Sequence, residues 1–404
     1  MDANRRQLLK QAGMGLAGVA FGSVNGWAAN RQDAKGSGGI KQGQKSYRAA
    51  IIGRTGHGDY GHGFDVIFRD IDQVSVVAIA DEDPEGLKKA ATRSGAKRAY
   101  RDYREMLAKE KLDILAIGPR HPDSHEAMAL AGIKHGAHIY MEKPMTETVE
   151  QADAIVEAAH AKGVKFAVAH TRRVTSDFVK VKRLLAEGFI GEVRHMRAEG
   201  KQDRRVGGED LIVLGTHDFD FMRYLFGDPL WCMASVSKDG RDIVKKDMGT
   251  GREPILVAGD TVRAMFGFAN NIGATWYSVK RSDHWNSQFS KRQKWGFEVY
   301  GTRRIIGYQS GYGPAYLDSP FLMHPGERGA WQELPEPQDW PPSEHELHPI
   351  RNLIQSIETD RQPLCSVTDG RWTIEMVSAV YESQRTRQRT TLPMQRRTNP
   401  LLAF

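Results

Sequence analysis

A chain of 404 residues with 40% hydrophobic and 26% charged side chains is long enough to bury more than one core and has the composition of a globular protein. The formal net charge of +7 is scattered, and its densest basic run, Arg385-Thr386-Arg387-Gln388-Arg389, reads as a solvated helix end, so no nucleic-acid partner is expected. Two cysteines, Cys232 and Cys365, exclude a disulfide framework and a cysteine metal centre.

The chain opens with a basic stretch, Asn4-Arg5-Arg6-Gln7-Leu8-Leu9-Lys10, followed by a Gly/Ala-rich apolar run to Ala28. This is a signal-peptide layout over residues 1–29, and the paired arginines resemble the twin-arginine export signal. The apolar run is short and glycine-rich for a membrane span, so export to the periplasm without a stable membrane anchor is expected. Residues 30–46, with Gly36, Gly38, Gly39 and Gly43, form a polar flexible linker.

From residue 47 to 170, short apolar runs (Ala49–Ile52, Val74–Ala80, Leu112–Ile117, His138–Met141, Val164–Ala169) alternate with polar-faced helical stretches. Alternation of this kind predicts an α/β fold with a parallel, doubly wound sheet covered on both faces. Pro84 begins one helix and Thr146 caps another that runs to Lys162. Residues 171–404 change character, with helices over Ser176–Glu187 and Asp210–Phe226, then strand-like runs at Thr261–Phe268, Ile272–Val279 and Gly296–Tyr300. Asn270-Asn271 marks a hairpin between the first two runs. An α+β domain with an open, mostly antiparallel sheet follows, closed by helices over Pro349–Thr359 and Asp369–Arg385, with an irregular excursion from Gly311 to Pro349.

The segment Gly53-Arg54-Thr55-Gly56-His57-Gly58-Asp59-Tyr60-Gly61 leaves the first strand and leads into a helix-like stretch. Gly56, Gly58 and Gly61 fit the spacing that lets backbone approach a pyrophosphate, in a turn longer than the usual fingerprint because the strand already ends at Gly53. Asp81, at the end of the second strand, stands where a carboxylate accepts ribose hydroxyls, although it also reads as a helix cap. Asp81-Glu82-Asp83 would repel a 2′-phosphate, which favours NAD over NADP.

Hydride transfer from a secondary alcohol needs a proton acceptor and a cationic group beside the developing alkoxide. Lys143, in Tyr140-Met141-Glu142-Lys143-Pro144 at the end of a parallel strand, is one candidate. The other is His217 in Gly215-Thr216-His217-Asp218-Phe219-Asp220, where His217 and Asp220 share a helix face. His345-Glu346-Leu347-His348 places two histidines three apart without a third ligand, and no metal is expected.

These stretches together resemble the glucose-fructose oxidoreductase and inositol dehydrogenase family (Gfo/Idh/MocA) over about residues 47–394. Gly118-Pro119-Arg120-His121 with His125, Phe189-Ile190-Gly191-Glu192-Val193, Val299-Tyr300-Gly301-Thr302 and Ala379-Val380-Tyr381-Glu382-Ser383 extend the match. The resemblance implies a Rossmann domain followed by an α/β domain whose open sheet joins subunits of a dimer or tetramer, with nicotinamide near the lysine and a sugar or polyol as substrate. It implies that Lys143 binds the reacting hydroxyl, that His217 is the acid/base with Asp220 closing its motif, and that Gly53, Pro119, His125 and Glu142 line the cofactor side. Val213 stands where many members have an aspartate four residues before the histidine, so the imidazole is expected to be held through Asp218 or Asp220, with Asp218 on the substrate side.

Outside the cytoplasm no NAD pool is replenished, so an exported enzyme of this kind is expected to keep its cofactor through turnover. Three readings follow: an oxidoreductase of sugars or polyols, a redox-neutral enzyme that cleaves a glycoside by oxidation, elimination and re-reduction, and a cofactor-binding sensor. Trp276, Tyr277, His284, Trp285 and Asn286 are candidates for stacking on a sugar ring, and Lys201, Arg204 and Arg205 for an acidic one.

Overall fold

The computed structural model describes residues 45–280, 295–319, 329–342 and 347–404. The leader, nearly all of the linker, His284, Trp285, Asn286, His345 and Glu346 lie outside the described residues.

The first layer is a parallel sheet of six strands, β1 (Tyr47–Ile52), β2 (Val74–Ala80), β3 (Arg98–Tyr100), β4 (Ile114–Ile117), β5 (His138–Met141) and β6 (Phe166–Val168). Four helices connect them: α1 (Pro84–Ser94), α2 (Tyr103–Lys109), α3 (His125–Lys134) and α4 (Val149–Lys162). The strand order is β3-β2-β1-β4-β5-β6, so the winding reverses between β1 and β4. Open α/β sheets bind ligands at that switch point, outside the carboxyl ends of the strands. Register decides what emerges there. Ile52 pairs with Ile117 and Ile117 with Met141, so the glycine turn, the loop after β4 and Glu142-Lys143 leave the sheet side by side.

Local chemistry accounts for the helix ends. Asp83 caps α1 by accepting from the Gly86 amide, and Pro84 is the first helical residue. The cap of α4 is Thr148 in a capping box with Gln151, two residues later than Thr146, because Thr146 spends its hydroxyl on the Thr148 carbonyl.

The remaining elements are α5 (Ser176–Ala186), β7 (Val193–Glu199), α6 (Thr216–Phe226), β8 (Trp231–Lys238), β9 (Arg241–Asp242), β10 (Met248–Thr250), β11 (Leu256–Ala258), β12 (Thr261–Gly267), β13 (Gly273–Val279), β14 (Gly296–Gly301), β15 (Ile305–Gln309), β16 (Gly313–Leu317), β17 (Gln332–Glu333), α7 (Pro349–Glu358), α8 (Val367–Thr386) and β18 (Thr390–Thr391). The large sheet runs β17-β16-β15-β14-β7-β13-β12-β8-β18 with β9 on β8, and its pairs are antiparallel except β13 with β7. Asn270 and Asn271, both at positive φ, turn the chain between β12 and β13. Inward residues such as Cys232, Val236, Val262, Phe266 and Trp276 pack under α6 and α8, while Met233 and Met265 stand exposed on the open face.

The chain beyond residue 340 returns to the first layer. Ile350, Leu353 and Ile354 of α7 share an apolar cluster with Tyr47, Ala49 and Ile51 of β1, and Arg371 of α8 bonds Asp153 of α4 at 3.0 Å. A boundary at 170/171 therefore divides the sequence more cleanly than it divides the packing, because α7 joins Phe64, Phe68, Leu87 and Ala90 in covering one face of β1. No helix among the described residues is long and apolar enough to cross a membrane.

Candidate active site

Glu142 and Lys143 stand at the carboxyl end of β5, and the Lys143-Pro144 peptide bond is cis. The Glu142 carboxylate is buried and accepts from the His62 amide at 3.0 Å, the His62 ring at 2.8 Å and the Lys143 amide at 2.9 Å. Burial raises its pKa, but the His62 contacts and the charge of Lys143 outweigh it and hold the group at about 2. Glu142 thus ties the glycine turn to the strand that carries Lys143. Burial pushes the Lys143 amine below the ordinary lysine range, against the pull of Glu142 and Glu253.

The glycine turn leads only into a single 3-10 turn, Phe64–Val66, where the sequence suggested a longer helix. Phe64 stacks on Tyr140 of β5 at 5.0 Å and crowds Gly118, so packing adds to the short-range bonds of this segment, such as the Phe64 amide to the Tyr60 carbonyl at 2.9 Å and the Val66 amide to the Gly63 carbonyl at 3.1 Å. A side chain at Gly58 would meet the Arg120 and His121 amides at 2.5 and 2.6 Å, and one at Gly61 would meet Glu142 and the Gly118 carbonyl at 2.5 Å. Gly53 lies under the Tyr60 ring. Gly56, at φ 82°, has nothing within 4 Å of the same position, which leaves open space beside the turn for a diphosphate.

Asp81 is buried, and its oxygens accept from the Thr55 amide at 3.1 Å, the Thr55 hydroxyl at 2.7 Å and the Asp83 amide at 3.0 Å. The carboxylate read from the sequence as a ribose acceptor is spent on the turn itself, and Glu82 is the acidic side chain exposed at that edge.

His125 departs from expectation in the same way. Its ring is fully buried, with Nε2 2.7 Å from the Pro119 carbonyl and Nδ1 3.0 Å from that of Pro144. It staples the loop after β4 to the loop after β5 and does not face the crevice. Burial keeps its pKa below the ordinary range despite these carbonyls.

The second half of the site is one interrupted helix. Gly208–Asp210 passes into a π-helical turn, Leu211–Gly215, and then into α6, which begins one residue before His217. π-turns re-aim backbone groups and recur at functional sites. Here Lys143 Nζ donates to the Val213 carbonyl at 3.4 Å, four residues ahead of His217. Burial first, then the charges of Lys143, His170 and Arg172, push the His217 pKa well below its ordinary value, so the lysine lies near enough to act on the imidazole. This favours the neutral imidazole.

Neither neighbouring carboxylate holds that imidazole. Asp218 is buried, accepting from Arg172 at 2.5 Å and from the Trp276 indole at 2.8 Å, so it is not exposed to a substrate. Asp220 is buried and receives Arg173 at 2.9 Å on both oxygens. The sequence placed these two groups on substrate and catalysis; buried arginines claim them, since an unpaired carboxylate would be too costly there. Trp276 is likewise in the core and cannot stack on a sugar, while Tyr277 bonds Arg197 at 2.6 Å.

The ring against His217 is His170, edge-on at 5.4 Å. His170 is buried at the end of β6, with Nδ1 3.9 Å from Asp220 and 3.7 Å from Cys365 Sγ. Burial first, and Lys143 and Arg173 with it, lower its pKa to about 4 against the pull of Asp220. His170, Asp220 and Cys365 lie close enough to share a cation, and the ion pair within the group is the one in which Arg173 donates to both Asp220 oxygens. His170, Arg172 and Arg173 were not singled out from the sequence. Their signal was available: polar residues immediately after a parallel strand, as with Lys143. A cavity of about 430 Å³ lies elsewhere, among Arg197, Glu298, Tyr312 and Trp331.

Residues 47–170 match the family model described as oxidoreductase family, NAD-binding Rossmann fold, and residues 178–306 match the GFO/IDH/MocA C-terminal domain. The chain belongs to the Gfo/Idh/MocA oxidoreductase family. Its Gfo/Idh/MocA relatives include D-apiose dehydrogenase of Paraburkholderia graminis, 31% identical over 216 residues that span 51% of this chain and 56% of that protein. A glycosyl hydrolase family 109 protein of Shewanella pealeana is 27% identical over 213 residues, 49% of this chain and 46% of the relative. The matched stretch is thus about half the length of these curated relatives. The structure of levoglucosan dehydrogenase in complex with NADH superposes with a TM-score of 0.69 at 19% identity, covering 87% of this chain and 100% of that one, a likeness of fold.

Proposed function

We propose that this chain is an oxidoreductase that uses tightly held NAD to oxidise a secondary hydroxyl of a sugar, glycoside or polyol. The observation that carries the reading is the approach of Lys143 to the π-turn ahead of His217, beside the glycine turn. Bound NAD supplies the hydride acceptor. Lys143 holds the hydroxyl oxygen and stabilises the charge that develops on it, while the neutral His217 ring takes the hydroxyl proton. His170 backs that ring where other family members are expected to use an aspartate. The acidic edge at Glu82 and Asp83 favours NAD over NADP by charge.

The paired arginines of the leader support export by the twin-arginine route, and an exported enzyme must retain its cofactor. Within this reading the open face of the large sheet joins copies of the chain into a homo-oligomer. A redox-neutral glycoside-cleaving reaction is the second reading, favoured by the family 109 relative. Denaturing the purified chain and extracting nucleotide tests the common premise: nicotinamide dinucleotide is expected, and a chain that neither carries nor binds it would overturn both readings. With a panel of glycosides, keto-sugar or reduced cofactor supports the first, and free aglycone without net reduction supports the second.

A further inference from the structure

Within the proposed nicotinamide reading, on which this inference rests, we infer that Glu253 is a positioning residue that pins the loop after β4 over the dinucleotide and slows its release. Glu253 sits at the tip of the β10–β11 hairpin, a two-stranded sheet separate from the large one. The hairpin is carried by the same helical run that presents His217. At its base, Ala258 exchanges hydrogen bonds with the Tyr381 hydroxyl at 3.2 and 3.3 Å and presses on Gly208. At its tip the Arg252 amide donates to Glu209 at 3.1 Å.

From there Glu253 crosses to the other half of the molecule, 3.3 Å from His121 Nε2 and 3.9 Å from Arg120 Nε. The backbone of those two residues lies against the glycine turn: the Arg120 amide donates to the Gly58 carbonyl at 3.2 Å, and Gly58 has no room for a side chain there. Helix, hairpin, loop and glycine turn thus form one mechanical chain, closed by a single carboxylate. Glu253 Oε2 and Arg120 Nε are both shielded from water and neither makes a hydrogen bond, so each retains a bond it can form when the loop tightens on a ligand.

Stopped-flow displacement of NADH by excess NAD from the full chain tests this. Glu253→Gln is expected to raise the dissociation rate roughly three- to tenfold, as loss of a partly buried ion pair does, with little change in association rate or Tm. Arg120→Glu and Glu253→Arg should each do the same, and the double swap should recover slow release, which a merely structural role would not produce. If the variants fail to fold, the wild-type dissociation rate must rise with salt. An unchanged or slower rate in Glu253→Gln, no recovery in the double swap, or a salt-independent wild-type rate would overturn the clamp. A wild-type chain that binds no NADH at all would overturn the nicotinamide reading and the clamp with it.

Discussion

Lys143 Nζ lies 3.4 Å from the Val213 carbonyl, so an amine from the end of the parallel sheet is tethered to the π-turn that sets the direction of His217. The position where the family pattern has an aspartate contributes its backbone instead of a side chain. That contact joins the two halves of the crevice and depends on the helix being interrupted at this point.

Lys143→Met should reduce turnover by about 10² to 10⁴, since it removes the group beside the developing alkoxide, while NADH affinity stays within a few-fold. Because burial already lowers the lysine pKa, replacing it with an apolar side chain should leave Tm unchanged or raise it. Parallel measurement of steady-state rate, NADH binding and thermal melting checks all three.

Glu142→Gln should cost stability on the order of 3 kcal/mol at neutral pH. The native carboxyl, at about 2, lies below its unfolded value near 4.3. A depressed carboxylate contributes stability above its unfolded pKa and loses it as pH falls towards the folded one. Denaturant melts of the two proteins should therefore differ at pH 7 and converge as pH approaches about 2. A difference that did not change with pH would mean that lost packing, not lost charge, is responsible.

Two glycine substitutions should separate folding from binding. Gly58→Ala drives a methyl group into the Arg120 and His121 backbone and should destabilise the chain severely. Gly56→Ala meets open space and should cost about 1 kcal/mol for its positive φ, while weakening NADH affinity by occupying the surface beside the turn. Melting curves and NADH titration on both variants give the comparison.

His170→Phe should change the acid limb of stability and of turnover together. The native ring titrates at about 4 and an unfolded histidine near 6.5, so its contribution is present above about 6.5 and fades as pH falls towards 4. The variant should flatten the stability profile in that window. It should also shift the pH dependence of the rate, because the ring beside His217 would lose its polar edge. A rate profile parallel to wild type would leave His170 a packing role alone.

The strands that position the site were legible. β2 and β5 fall where the apolar runs lie, and Lys143 was found because an apolar run of four residues stops just before Glu142. Elements with weak periodicity, such as β3 and β7, gave no comparable signal. That the segment after the glycine turn stays a series of short turns was not legible either, since Phe64 is held by a stack on Tyr140, far away in sequence.

By itself the sequence determined the alternation of strand and helix, the family, and the lysine and histidine that carry the proposed chemistry, because apolar period and motif spacing are properties of neighbouring residues. Only the tertiary structure decided which charges were free to act. Asp81, Asp218 and Asp220 looked available, yet their partners Thr55, Arg172 and Arg173 lie 26, 46 and 47 residues away. A carboxylate carried into a core must find a donor wherever the fold brings one, and no local pattern records that distance.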